Sequence, residues 1–247
     1  MLKILFSVLF FATALIFSCA DYPRIDEMER TPIYGAVLTD SRDNQTYQTV
    51  IIGNQTWMAR NLNYSFAENS SSSAENSSSP AKNGDCYGGD KENCEIYGRL
   101  YDWATVMGLP EKYNNSRPST NTLKPTGICP SGWYLPSDMD WQTLVEYVGT
   151  NVGVKLKAMR GWSNETDNGD DIYGFSAMPS GQHNKDSGFD NLGQKELGYW
   201  WSSTESESRN DSTRAYFRDI GYINDALNMA SKLASKTTMF AVRCIKK

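Results

Sequence analysis

CPSGWYLPSDMDW, residues 129–141, packs a cysteine, a Pro-Ser-Gly turn, two tryptophans and a helix start into one short stretch. Pro130-Ser131-Gly132 is turn chemistry. Ser137 is a good N-cap, and Asp138 and Asp140 place negative charge in the first turn, where the helix dipole favours it. From Trp141 the apolar residues recur at Leu144, Val145 and Val148, the spacing of a helix with one buried face, and Gly149 ends it. The stretch is where an irregular loop, tied down at Cys129, hands over to the best-marked helix of the chain.

Downstream, residues 155–159 are short and ambiguous. Residues 160–198 are rich in Gly, Asn and Asp, with apolar islands at 173–179 and at Phe189. Such a long loop region is where binding residues concentrate. Three strands are expected after it, at 199–203, 214–220 and 240–245, the last with Phe240, Val242 and Cys244 on one side. The link at 224–238 has room for a short helix.

Upstream, a turn at 40–44 precedes β-branched residues 45–52. Gly53-Asn54 then separates them from 55–59, a hairpin pattern. Residues 65–83 repeat Ala-Glu-Asn-Ser-Ser-Ser at Ala67 and Ala74, a low-complexity insert that cannot bury a core. Residues 95–107 carry Leu100, Trp103, Ala104 and Met107 at helical spacing and are expected to form a second core-packed helix.

A chain of 247 residues can build one full-sized core or two small ones. Aromatics make up 12%, with 7 Trp and 14 Tyr, too many for a disordered chain. They imply a loop-rich β-containing fold or a surface that stacks on ligands. The formal net charge of -5 makes nucleic acid a poor electrostatic partner.

Lys3 followed by the apolar run 4–17 reads as a signal peptide. Ile16-Phe17-Ser18-Cys19 resembles the lipobox of bacterial lipoproteins, with Phe17 where a small residue is usual. The expectation is a signal peptide at 1–18, acylated Cys19, a tether at 19–36 and a domain at 37–247 carrying the flexible insert at 65–83. The protein would then be lipid-anchored at the outer membrane or cell surface. Removing Cys19 from the five cysteines leaves Cys86, Cys94, Cys129 and Cys244, an even number in an oxidising compartment. Three pairings are open. The preferred one joins Cys86 to Cys94 as a local clip and Cys129 to Cys244 across the domain.

Catalysis finds little support in the residues. A Ser-His-Asp site would need His183, the one histidine, which lies in a polar Gly-Gln-His-Asn-Lys-Asp loop. Oxidation of the formylglycine-generating type needs reactive cysteines, and bridges would occupy all four. No enzyme activity and no cofactor are expected. Asp167, Asp170 and Asp171 crowd around Gly169 as calcium candidates, with a solvated turn as the competing reading. Trp162, Trp200 and Trp201, with Glu205 nearby, are candidates for stacking on a sugar ring. Strand alternation must turn at least one of Trp200 and Trp201 into the core.

Several pieces together resemble the Fibrobacter succinogenes major paralogous domain, a family of exported bacterial proteins. They are Asp43-Asn44-Gln45-Thr46-Tyr47, Ile52-Gly53-Asn54-Gln55-Thr56-Trp57-Met58-Ala59, Tyr97-Gly98-Arg99-Leu100-Tyr101, the stretch 129–141, Asp171-Ile172-Tyr173-Gly174-Phe175-Ser176-Ala177, Tyr199-Trp200-Trp201-Ser202-Ser203 and Val242-Arg243-Cys244. At fold level Leu135-Pro136-Ser137, Trp141 and the later Trp-Ser-Ser and Val-Arg-Cys are similar to the C-type-lectin-like and formylglycine-generating-enzyme-like superfamily. That resemblance implies an α+β, C-type-lectin-like fold: two main helices packed on a twisted antiparallel sheet, long irregular loops, disulfides, and termini joined in the sheet. The role expected is non-catalytic binding or scaffolding at the cell surface, with a polysaccharide or a surface protein as partner. The alternatives are a purely structural display domain and an enzyme like the formylglycine-generating enzymes.

Overall fold

The computed structural model describes residues 31–66, 84–119, 126–184, 188–190, 196–221 and 229–246. Chain contacts separate Met1–Arg30 from Thr31–Lys247, and the described residues all lie in the second unit. The expected signal peptide at 1–18, Cys19, most of the expected tether and of the serine-rich insert, and residues 224–228 of the link lie outside them.

In chain order the strands are Leu38–Thr39 (β1), Thr46–Tyr47 (β2), Thr49–Ile52 (β3), Gln55–Met58 (β4), Trp133–Tyr134 (β5), Gln182–Asn184 (β6), Gly188–Asp190 (β7), Leu197–Glu205 (β8), Arg214–Gly221 (β9), Ser231–Ser235 (β10) and Ile245–Lys246 (β11). The α-helices are Lys91–Tyr97 (α1), Trp103–Val106 (α2), Asp138–Val148 (α3) and Val152–Leu156 (α4). Gly53, at φ 63°, supplies the left-handed residue that folds β3 back onto β4. The resulting antiparallel sheet has the order β3-β4-β11-β5, and a second one has the order β10-β9-β8. This is an α+β domain.

Residues 239–245 are the spine between the sheets. Ile245 pairs with Trp57 and with Tyr134, Phe240 bridges Tyr101, and Ala241 bridges Trp200 in parallel. Side chains alternate along an extended segment, and here both directions lead into apolar cores. Phe240, Val242 and Cys244 enter one cluster with Tyr47, Met58 and Trp201. Ala241 and Ile245 enter the other with Trp57, Trp141 and Trp200.

The opening stretch contributes twice. Trp133 and Tyr134 form β5, a strand not anticipated from the sequence. Ser137 then caps α3: its Oγ accepts from the Asp140 N–H at 3.1 Å, and Asp140 Oδ2 accepts from the Ser137 N–H at 2.8 Å. This is a reciprocal capping box. Trp141, Leu144 and Val148 are buried, and the Trp141 ring lies 4.6 Å from that of Trp57.

Three expectations are corrected. The single helix at 95–107 is two, α1 and α2, so among the described residues α3, with 11 residues, is the one long helix rather than one of two main ones. Gly98 divides them: it sits at φ 76°, and a Cβ there would lie 2.6 Å from Asn61 Cβ. Leu100 bridges Asp85 outside either helix and joins the second core, while Trp103 and Ala104 of α2 and Met107 at its end join the first, so the helical spacing holds only from Trp103 onward. The described end of the tether belongs to the domain, because the Gly35 N–H donates to Thr49 O and the Ile51 N–H to Ile33 O, adding a strand-like edge to β3. The described part of the link carries strand β10, paired with β9.

The disulfides Cys86–Cys94 and Cys129–Cys244 are both present. The second joins the loop before β5 to the spine.

Candidate functional site

The three tryptophans nominated for stacking are inside the protein. Trp162 is 4% exposed, and Trp200 and Trp201 are 0% exposed. Their indole N–H groups donate inward, Trp162 to Ala177 O at 3.2 Å, Trp200 to Asn61 Oδ1 at 2.8 Å and Trp201 to Tyr101 O at 2.8 Å. The stacking assignment is corrected for a simple reason. Alternation along β8 turns Trp200 into one core and Trp201 into the other, so neither ring face meets solvent.

Glu205 is likewise part of the frame. It pairs with Lys236, whose ammonium also donates to Ser212 O at 2.8 Å and lies 4.4 Å from the centre of the Trp103 ring. Burial pushes the Lys236 pKa down, and the hydrogen bond and charge of Glu205 push it back up.

The three aspartates around Gly169 face different partners. Asp167 Oδ2 accepts from the Asn164 N–H at 3.1 Å and from its side-chain amide at 2.7 Å, closing a short turn. Asp171 accepts from the Ser176 N–H at 2.8 Å and from its hydroxyl at 2.5 Å. Burial raises the Asp171 pKa, opposed by those bonds and by the charge of Arg243. Asp170 is exposed, and its backbone N–H donates to Val154 O at 2.8 Å. Among the described residues no three His, Cys, Asp or Glu side chains are grouped to hold a metal ion.

A different cluster assembles around His183. Strand β6 carries it, tied to the head of the spine by hydrogen bonds between His183 and Met239 backbones in both directions, at 3.1 and 2.8 Å. The imidazole stacks on Phe189 of β7, with centroids 4.1 Å apart and planes 16° from parallel. Its Nδ1 lies 3.1 Å from Met239 Sδ and 3.8 Å from Asp85 Oδ2. Tyr87, one residue past Cys86, meets Phe189 at 4.9 Å with a tilt of 58°. Tyr87, His183 and Phe189 are half-buried, and Asp85 is exposed.

The base under this cluster is stiff. The Cys86–Cys94 bridge closes the segment, the Gly89 N–H donates to Cys86 O at 2.9 Å, and the Asn93 side chain donates to Tyr87 O at 3.0 Å. Asp85 and Leu100 exchange backbone hydrogen bonds at 2.9 and 3.0 Å. In the sequence His183 reads as a surface-loop residue and Phe189 as an apolar island. Pairing β6 with β7 in the register His183↔Phe189 is what makes them one surface. The arrangement offers partly exposed aromatic rings edged by a carboxylate and an imidazole, with the neighbouring cysteines locked as a disulfide.

The two-core α+β domain and its two bridges carry the sequence motifs from the first hairpin to the last strand. The chain matches the model of the Fibrobacter succinogenes major domain over residues 50–246, and it belongs to that family. The match takes in both disulfides, the capped helix α3 and the cluster around Tyr87. No curated protein and no solved structure matches the chain.

Proposed function

We propose that this chain is an exported, lipid-anchored protein of the cell surface whose domain binds or scaffolds without catalysing, with carbohydrate as its ligand class. The proposal places the domain on a C-type-lectin-like frame. A bridge from the pre-helix loop to the last strand, and long loops over short sheets, support that frame.

The observation that carries the binding reading is the half-exposed ring cluster of Tyr87, His183 and Phe189 on a disulfide-closed base. Aromatic rings set on rigid elements with few polar groups around them are the equipment of a recognition surface. The non-catalytic reading is supported by where the reactive groups are spent. Cys86, Cys94, Cys129 and Cys244 are bridged, and the His183 Nδ1 faces a thioether and a carboxylate.

Two measurements test the proposal. Metabolic labelling with radioactive palmitate is expected to mark the wild-type protein in cells and not Cys19→Ser; an unlabelled wild type overturns the lipid anchor. Screening the purified chain on a glycan array is expected to show retention on neutral glycans, and a blank array overturns the carbohydrate reading.

A further inference from the structure

Resting on the lipid-anchor part of that reading, we infer that the edge segment 33–37, with Ile51 beside it, seats on the lipid bilayer at headgroup depth and so orients the anchored domain. Residues 31–39 read TPIYGAVLT and residues 44–59 read NQTYQTVIIGNQTWMA. Not one of these 25 residues is charged, in a chain whose charged fraction is 21%.

The fold lays the two uncharged pieces side by side. Tyr34 bridges Val50, the Gly35 N–H donates to Thr49 O at 2.9 Å, and the Ile51 N–H donates to Ile33 O at 2.8 Å. The Thr49 hydroxyl donates to Ala36 O at 2.8 Å and holds the far end. Ile33 is 63% exposed, Tyr34 59%, Val37 56% and Ile51 38%. These are four of the eight large apolar side chains that are exposed among the described residues. Tyr147 of α3, a fifth, stands at the turn of the same hairpin, where a Cβ on Gly53 would lie 2.8 Å from its ring. Exposed apolar side chains gathered in one place mark a contact surface.

What covers this edge follows from where the chain comes from. Twelve residues, 20–31, separate Cys19 from Pro32. Fully extended they reach at most about 45 Å, about one width of a domain of this size. Acyl chains on Cys19 therefore keep the bilayer within a domain width of the edge, and a second contact becomes intramolecular, so a small apolar patch suffices. The depth follows from the backbone and the tyrosines. An outermost strand carries peptide groups that hydrocarbon would leave unsatisfied, so the edge stops among the headgroups. At that level a tyrosine ring packs against lipid while its hydroxyl reaches water. The lack of Asp and Glu in both pieces spares the edge the repulsion from anionic lipids that a chain of net charge -5 otherwise meets.

The test uses the mature, acylated protein purified from cells and reconstituted in vesicles of phosphatidylethanolamine and phosphatidylglycerol doped with brominated phosphatidylcholine. Cys86, Cys94, Cys129 and Cys244 are bridged. With Cys19 acylated, a thiol-reactive NBD dye labels only a cysteine introduced by Ile33→Cys, Val37→Cys or, on β10 of the other sheet, Ser235→Cys. All three positions are exposed, and an unchanged melting temperature confirms that each variant is folded. Bromines near the headgroup are expected to quench the dye at 33 and 37, bromines near the chain ends to quench it less, and the dye at 235 to keep its emission. Vesicle-bound protein with no quenching at 33 and 37, or with equal quenching at 235, overturns the seat while leaving the lipid anchor standing. Stronger quenching by the deep bromines overturns the headgroup depth. Emission at 33 that ignores bromine but depolarises as protein density rises assigns the edge to a second copy of the chain and overturns the bilayer as its partner. Protein that does not float with the vesicles removes the lipid anchor and this inference together.

Discussion

Arg243 is a whole guanidinium at 0% exposure. Its Nε donates to Asn61 Oδ1 at 2.8 Å, Nη1 to Met58 O at 3.0 Å and to Phe175 O, and Nη2 to Ser176 O at 2.9 Å. The cation also lies 4.4 Å from the centre of the Phe175 ring. Burial pushes its pKa down to about 9, with Asp171 opposing, so the group is still charged at neutral pH. A buried charge persists only when its donors are filled, and these bonds tie the 175–176 loop to the first hairpin. Arg243→Met strands its acceptors and is expected to cost about 3–5 kcal/mol in urea denaturation. Tyr47 gives the pH prediction. Burial raises its pKa to about 12, against a hydrogen bond from the Asn63 N–H that lowers it. An unfolded tyrosine ionises near pH 10. Between about pH 10 and 12 the unfolded chain sheds this proton while the folded one keeps it, so stability falls across that window, by about 3 kcal/mol at its upper end. Urea midpoints measured from pH 8 upward should drop less steeply for Tyr47→Phe than for the wild type. Neither inward position was legible from the sequence, because an arginine or tyrosine at strand spacing reads the same whether the facing layer is water or a second core.

At the scale of elements, legibility followed the range of the forces involved. The start of α3 was readable because its capping box is closed by residues three apart, Ser137 and Asp140. Ser137→Ala should destabilise the domain by about 1 kcal/mol in the same denaturation assay. The helix expected at 95–107 failed at Gly98, where the chain must pass Asn61 and Leu62 closely. Gly98→Ala combines a left-handed backbone with a Cβ 2.6 Å from Asn61 Cβ, and a loss of about 2–3 kcal/mol is expected. If that variant unfolds at the wild-type midpoint, the close approach is not what divides α1 from α2. Strand β5 was missed because two residues, Trp133 and Tyr134, carry no period of their own and become a strand only by pairing with β11.

For the whole molecule, the two bridges do different work. Cys129–Cys244 spans 115 residues and Cys86–Cys94 spans 8. Loop-closure entropy makes the first worth about 5 kcal/mol and the second about 2–3 kcal/mol. Replacing Cys129 and Cys244 with serine should therefore lower the melting temperature more than replacing Cys86 and Cys94, and equal shifts would refute that ordering. The sequence by itself determined the family motifs, the capped helix α3, the first hairpin and the side of the spine on which Phe240, Val242 and Cys244 lie, because each rests on local periodicity or turn chemistry. Only the tertiary structure decided that Trp200 and Trp201 are both buried, since burial depends on a second layer covering the far face of β8. The stretch 129–141 accordingly stands as framework: strand β5, a capped helix and one end of the long bridge. The ring cluster at His183 was likewise beyond the sequence, because Tyr87 and Phe189 meet only when the β6–β7 hairpin is laid beside the clip, and no period in the chain encodes that contact.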